Sequence, residues 1–99
     1  GSVIKFNEKR VKRLTHIGWN YVNFIKNKIF KNIKQKSAFY YCHSYYAKPK
    51  NNKNVIGKTD YYNMKFCSVI NYKNVYGCQF HPERSGPAGA TFLKNFINL

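Results

Sequence analysis

Acidic residues are almost missing from this sequence. Glu8, Asp60 and Glu83 are the only carboxylate side chains among 99 residues, against 18 lysines and arginines, and the net charge is +15. Arginine is scarce too, at Arg10, Arg13 and Arg84 only, although it is the residue best suited to bidentate contacts with phosphates and base edges. Two origins of the charge stay open. One is a functional basic surface that attracts polyanions. The other is the lysine, asparagine and isoleucine bias of an AT-rich genome, visible in "NFIKNKIFKNIKQK". Cys42, Cys67 and Cys78 are odd in number and lack C-x-x-C spacing, which argues against a disulfide framework or a zinc knuckle. Each stands among apolar or aromatic neighbours and is expected as a small buried hydrophobe, in a reducing cytoplasm. No apolar run is long enough to span a bilayer and no signal peptide is visible, so no membrane role is expected. Neither a metal nor a cofactor is expected. Gly1-Ser2 reads as the scar of a cleaved tag and is set aside.

What is present is a chain for one small domain, 43% hydrophobic and 18% aromatic, too apolar to remain disordered. "VIKF" (3–6) predicts a short strand and "NEKRVKR" a charged turn. "HIGWNYVNF" (16–24) alternates and predicts extended chain, with Trp19, Tyr21 and Asn23 on one face. Ile25, Ile29 and Ile33 recur every fourth residue, which predicts an amphipathic helix over 25–36. "AFYYCHSYY" (38–46), "VIGKTDYY" (55–62), "MKFCSVINY" (64–72) and "VYGCQF" (75–80) predict strands, with turns at Asn63 and at 71–74. In the last of these, Gly77 permits a close backbone approach. "SGPAGATFLKNFINL" (85–99) predicts a helix with Ser85 as N-cap and Pro87 in the first turn. Ala88, Phe92, Leu93, Phe96 and Leu99 form its apolar face. The fold class is therefore α+β, several strands closed by a C-terminal helix.

The chemistry concentrates in "YGCQFHPERSG" (76–86). Residues i and i+2 of an extended segment share a side, so Glu83 can hold one imidazole nitrogen of His81 and leave the other for proton transfer. That is the base-and-orienter half of a nucleophilic triad, with Pro82 restricting the backbone between them. Alone, H-P-E is a short signal. Its flanks extend it: G-x-Q-F-H-P-E followed by an apolar helix resembles the C-terminal signature of the class I, triad-type glutamine amidotransferases. "HIGWN" (16–20) and "FYYCHSYY" (39–46) resemble, in order and spacing, segments of the glutaminase subunit of imidazole glycerol phosphate synthase. The match runs from about Leu14 to the C-terminus and departs at Thr15, where that family usually carries proline.

The resemblance implies the following. A cysteine thiolate attacks the side-chain amide of glutamine, and the ammonia released passes to a synthase or cyclase partner subunit. His81 shuttles protons and Glu83 orients it. His43, Ser44 and Tyr45 match the segment lining the glutamine pocket, through main-chain and hydroxyl groups. Trp19 and Arg84 match positions facing the partner. His16 and His43 equally suit buried, hydrogen-bonded structural roles, and Trp19 suits a core aromatic. The fold implied is part of the α/β class I amidotransferase domain.

The family's nucleophile sits between glycines, G-x-C-x-G, on a strand-to-helix elbow. None of the three cysteines has that setting, and Cys78 shares a strand with His81. The expectation is that residues 3–99 are the C-terminal portion of such a domain, inactive alone for want of the nucleophilic cysteine, and prone to self-association through uncovered edges. Two other functions compete. A related amidotransferase could supply ammonia for surface-sugar amination. A different class altogether is a small basic nucleic-acid-binding module whose tyrosines stack on bases.

Overall fold

Alternation of buried and exposed side chains decides most of the chain's course. In the computed structural model, which describes residues 1–99, the longest strand is β7, Met64–Tyr72, with Met64, Phe66 and Ser68 turned into the core. It pairs antiparallel with β6, Val55–Tyr61, in the register Thr59 to Phe66 and Tyr61 to Met64. The tight turn between them puts Tyr62, not Asn63, in the left-handed region, at φ 53°. The opposite edge of β7 is shared by β5, Tyr45–Lys48, and β8, Val75–Cys78. β1, Ser2–Lys5, adds outside β5, so Ser2 belongs to the sheet. β3, Asn23–Phe24, adds outside β6. The result is a six-stranded, wholly antiparallel sheet.

A second, two-stranded ribbon lies on it. β2, His16–Tyr21, pairs antiparallel with β4, Ala38–His43, from His16 opposite His43 to Tyr21 opposite Ala38. Phe39, Tyr41, His43 and His16 point inward and are buried, whereas Ile17, Trp19 and Tyr21 point out and are exposed. Between the two layers the core is largely aromatic: Phe6, Phe30, Phe39, Tyr41, Tyr61, Phe66, Phe80 and Phe92. Helix α1, Gly86–Ile97, closes one end. Its Phe92 packs on Phe30, Phe39 and Phe80, with ring centres 5.1–6.3 Å apart. No helix is long and apolar enough to cross a membrane.

Three expectations are corrected. Residues 25–36 are not a helix but turns around one 3₁₀ turn, Lys28–Phe30. Asn27 is extended, and its Oδ1 accepts from the Ile29 N–H at 3.0 Å. Asn32 and Lys36 adopt left-handed φ of 63° and 62°. Asparagine side chains compete for backbone groups, and the lysines of 26–36 have no acid within the segment to offset them. Ile29 is fully buried while Ile25 is 59% exposed, so the apolar stripe never forms. Cys42 and Cys78 are exposed rather than buried. The face of α1 is only partly covered: Phe92 is buried, but Leu93, Phe96 and Leu99 remain exposed.

Candidate active site

The segment after β8 changes partners, and that change places His81. The Gln79 N–H still donates to Ser68 O of β7 (2.8 Å), but the His81 N–H donates to Tyr40 O of β4 (2.9 Å). His81 therefore sits where sheet and ribbon meet. Gly77 allows β8 to lie close on β7: a Cβ there would lie 3.1 Å from Ile70 Cγ1. Residues Pro82–Arg84 form a 3₁₀ turn that starts from extended His81. The turn, rather than the i, i+2 alternation of a strand, folds Glu83 back over the ring. Glu83 Oε2 lies 3.2 Å from His81 Nδ1. With Nδ1 held there, Nε2 is the ring's free nitrogen, as a general acid–base needs. The His81 side chain is 40% exposed and open to solvent.

Ser85 stands at the N-cap position of α1 as expected, but its hydroxyl is used elsewhere. It is 1% exposed and makes no side-chain cap bond. Its Oγ donates to His81 O (2.6 Å) and accepts from the Tyr40 N–H (2.9 Å). One buried hydroxyl thus ties both ends of the His-Pro-Glu-Arg turn to β4. Gly89 completes the seat, since a Cβ at that position would overlap the Pro82 carbonyl. Nothing in the sequence marked Ser85 apart from an ordinary cap; its signal is spacing, i+4 from the histidine.

The segment His43–Tyr45 starts at the last residue of β4, three residues beyond Tyr40 or about 10 Å along that strand, and runs through Ser44 into β5. His43 is 9% exposed, and both its ring nitrogens are engaged inside the protein: Nδ1 at 2.8 Å from Tyr45 O, Nε2 at 3.0 Å from His16 Nδ1. Burial holds its pKa below the ordinary histidine value. It can face a ligand only through its main chain. Ser44 Oγ bonds to Thr15 Oγ1 at 2.7 Å; Thr15, the departure from the family pattern, thereby supports the segment in a way proline could not. Tyr45 is half-exposed.

Trp19 and Arg84, far apart in the sequence, come together on the outer face against Tyr40. Trp19 is 58% exposed and meets the Tyr40 ring edge-on at 5.9 Å. The Arg84 guanidinium lies over the same ring, 5.2 Å from its centre. Tyr40 is the bridge between them. The elbow G-x-C-x-G is absent from the chain.

Known proteins resemble this chain along its whole length. The family model "Glutamine amidotransferase class-I" matches residues 2–99. The imidazole glycerol phosphate synthase subunit HisH of Methanocaldococcus jannaschii is 46% identical over 100 residues, covering all of this chain and 49% of that protein. The subunit of the same name from Picrophilus torridus is 48% identical over 96 residues, 95% of this chain and 50% of that protein. Pyrococcus furiosus supplies another at 41%, over all of this chain and half of its own length. The chain spans about half the length of the curated relatives it matches. It belongs to the class I glutamine amidotransferases.

Proposed function

We propose that the full-length protein containing this chain is the glutaminase subunit of an imidazole glycerol phosphate synthase, hydrolysing glutamine and passing ammonia to a synthase partner. The observation that carries the reading is the His81–Glu83 pair, 3.2 Å apart and anchored to β4 by Ser85, in a chain whose named relatives are such subunits.

The chemistry runs through a cysteine thiolate outside these 99 residues. It attacks the glutamine δ-carbon, and the tetrahedral adduct expels ammonia, which takes its proton from His81 Nε2. The thioester that remains is attacked by water, whose proton returns to Nε2 as glutamate leaves. Glu83 accepts the Nδ1–H throughout and steadies the imidazolium. Ser44 and Tyr45 border the glutamine site. Trp19 and Arg84, joined by Tyr40, face the synthase subunit. Alone, the chain lacks the nucleophile.

Glutamate release from glutamine tests this. The 99-residue chain should give none, while the full-length protein should turn over. In the latter, His81→Ala should lower kcat at least about a hundredfold and Glu83→Gln at least about tenfold, with the thermal midpoint nearly unchanged. Turnover by the isolated chain, abolished by His81→Ala, would overturn the external nucleophile.

A further inference from the structure

One cluster of titratable groups is left over after the active site is assigned. His16 and His43 face each other across β2 and β4 and are 4% and 9% exposed. His16 stacks between Tyr41 and Tyr61, with ring centres at 4.7 and 4.2 Å. His43 lies against Phe6 and Phe66, at 5.1 and 5.0 Å.

The hydrogen bonds fix the protons. His43 Nδ1 faces the Tyr45 carbonyl at 2.8 Å and must donate. In a neutral ring Nε2 then bears a lone pair, so His16 Nδ1, 3.0 Å away, must donate to it. His16 Nε2 in turn accepts from Asn20 Nδ2 at 3.4 Å. The Asn20 amide is held the right way round, because its Oδ1 takes the Tyr21 N–H (2.7 Å) and its Nδ2 also donates to Asp60 O (2.8 Å). A one-directional chain results: Asn20 to His16 to His43 to the Tyr45 carbonyl, with both rings neutral and each of their nitrogens used once. An added proton on either ring would set two N–H groups against each other. The titratable side chains facing the pair are Tyr41 and Tyr61, with His81 near enough to oppose a second charge on His43. The Asp60 carboxylate turns away to Lys65 (3.2 Å). No acid is placed to stabilise a cation there.

The relay ends at the break between β4 and β5. There Ser44 O takes the Phe6 N–H (2.9 Å), Ser44 Oγ meets Thr15, and Tyr45 O takes the imidazole N–H. We infer that His16 and His43 are positioning residues for glutamine binding: their neutral relay sets the Ser44–Tyr45 corner, and they touch no substrate themselves. The inference rests on the proposed function, which puts that corner at the glutamine site.

Two measurements test it. In the 99-residue chain, imidazole ¹⁵N NMR at pH 7 should show His16 and His43 both neutral and both protonated at Nδ1. An Nε2–H tautomer on either ring, or titration of either near the ordinary histidine value, would overturn the relay. In the full-length protein, His16→Phe keeps the stack on Tyr41 and Tyr61 but leaves His43 Nε2 without a donor. It should raise KM for glutamine about tenfold with kcat little changed. His16→Asn places an amide N–H where Nδ1 was and should recover most of that loss. If His16→Phe does not fold, His43→Phe against His43→Asn repeats the comparison at the Tyr45 carbonyl. An active enzyme whose KM stays within twofold in the phenylalanine variants would overturn this inference alone. A full-length protein without glutaminase activity would overturn the proposed function and this inference with it.

Discussion

His16 differs from most histidines in what acid does to it. Burial first, and the neighbouring His43 second, lower its pKa from 6.5 to about 4. Between those values the unfolded chain binds a proton that the folded chain refuses. Stability is therefore complete above about pH 6.5 and declines as pH falls toward 4, where the folded state also begins to protonate. Integrated over that window, the loss is roughly 3 kcal/mol for His16, and His43, shifted the same way by burial, adds to it. Urea denaturation at pH 7.5 and pH 4.5 should show the drop. A midpoint independent of pH over this range would contradict it. Carboxylates cannot supply the effect in bulk, since only three exist. At this scale the sequence was informative about identity and poor about contacts. His81 and Glu83 were legible because their spacing is local. That His16 opposes His43, or that Trp19 and Arg84 meet on Tyr40, depends on register across 21 or more residues, and no short motif encodes it.

Elements were legible where one face is buried. From Lys58 to the turn, β6 alternates against β7 so that one register buries Thr59 and Phe66 together, while toward Val55 a bulge shifts the pairing. The segment 25–36 misled because isoleucines spaced by four also satisfy a chain of turns. There two adjacent side chains, Ile29 and Phe30, do the burying and asparagines bend the rest. The junction of the His-Pro-Glu-Arg turn with α1 gives a sharper test. Gly→Ala within a helix ordinarily stabilises by about 1 kcal/mol. At Gly89 the new Cβ would strike the Pro82 carbonyl, backbone that cannot swing aside, and overpacking of this kind costs about 1–3 kcal/mol. The steric cost should win. Gly89→Ala should lower the urea midpoint of the 99-residue chain, and in the full-length protein it should depress kcat by displacing His81. A midpoint raised by the substitution would mean that α1 does not seat on Pro82 as described.

For the whole molecule, the decisive feature is what the fold leaves uncovered. Ile17, Trp19 and Tyr21 stand in a row on the outer face of β2, each more than half exposed, beside exposed Cys42 on β4. Phe96 and Ile97 on α1, with Leu99 just beyond it, add apolar surface, and β1 and β3 are open strand edges. Aromatic rows of this kind normally meet a partner, and open edges invite strand pairing. Against association stands a net charge of +15, which repels like copies and is screened at moderate salt. The two effects separate by ionic strength. Sedimentation of the chain should show mostly monomer in about 10 mM salt, where the Debye length is near 30 Å, and dimers or larger species in about 0.5 M salt. Trp19→Lys, which breaks the aromatic row and adds a charge, should return the high-salt sample toward monomer. A clean monomer at high concentration in 0.5 M salt would show that neither the β2 row nor the strand edges associate, leaving the Trp19 face to a different partner alone.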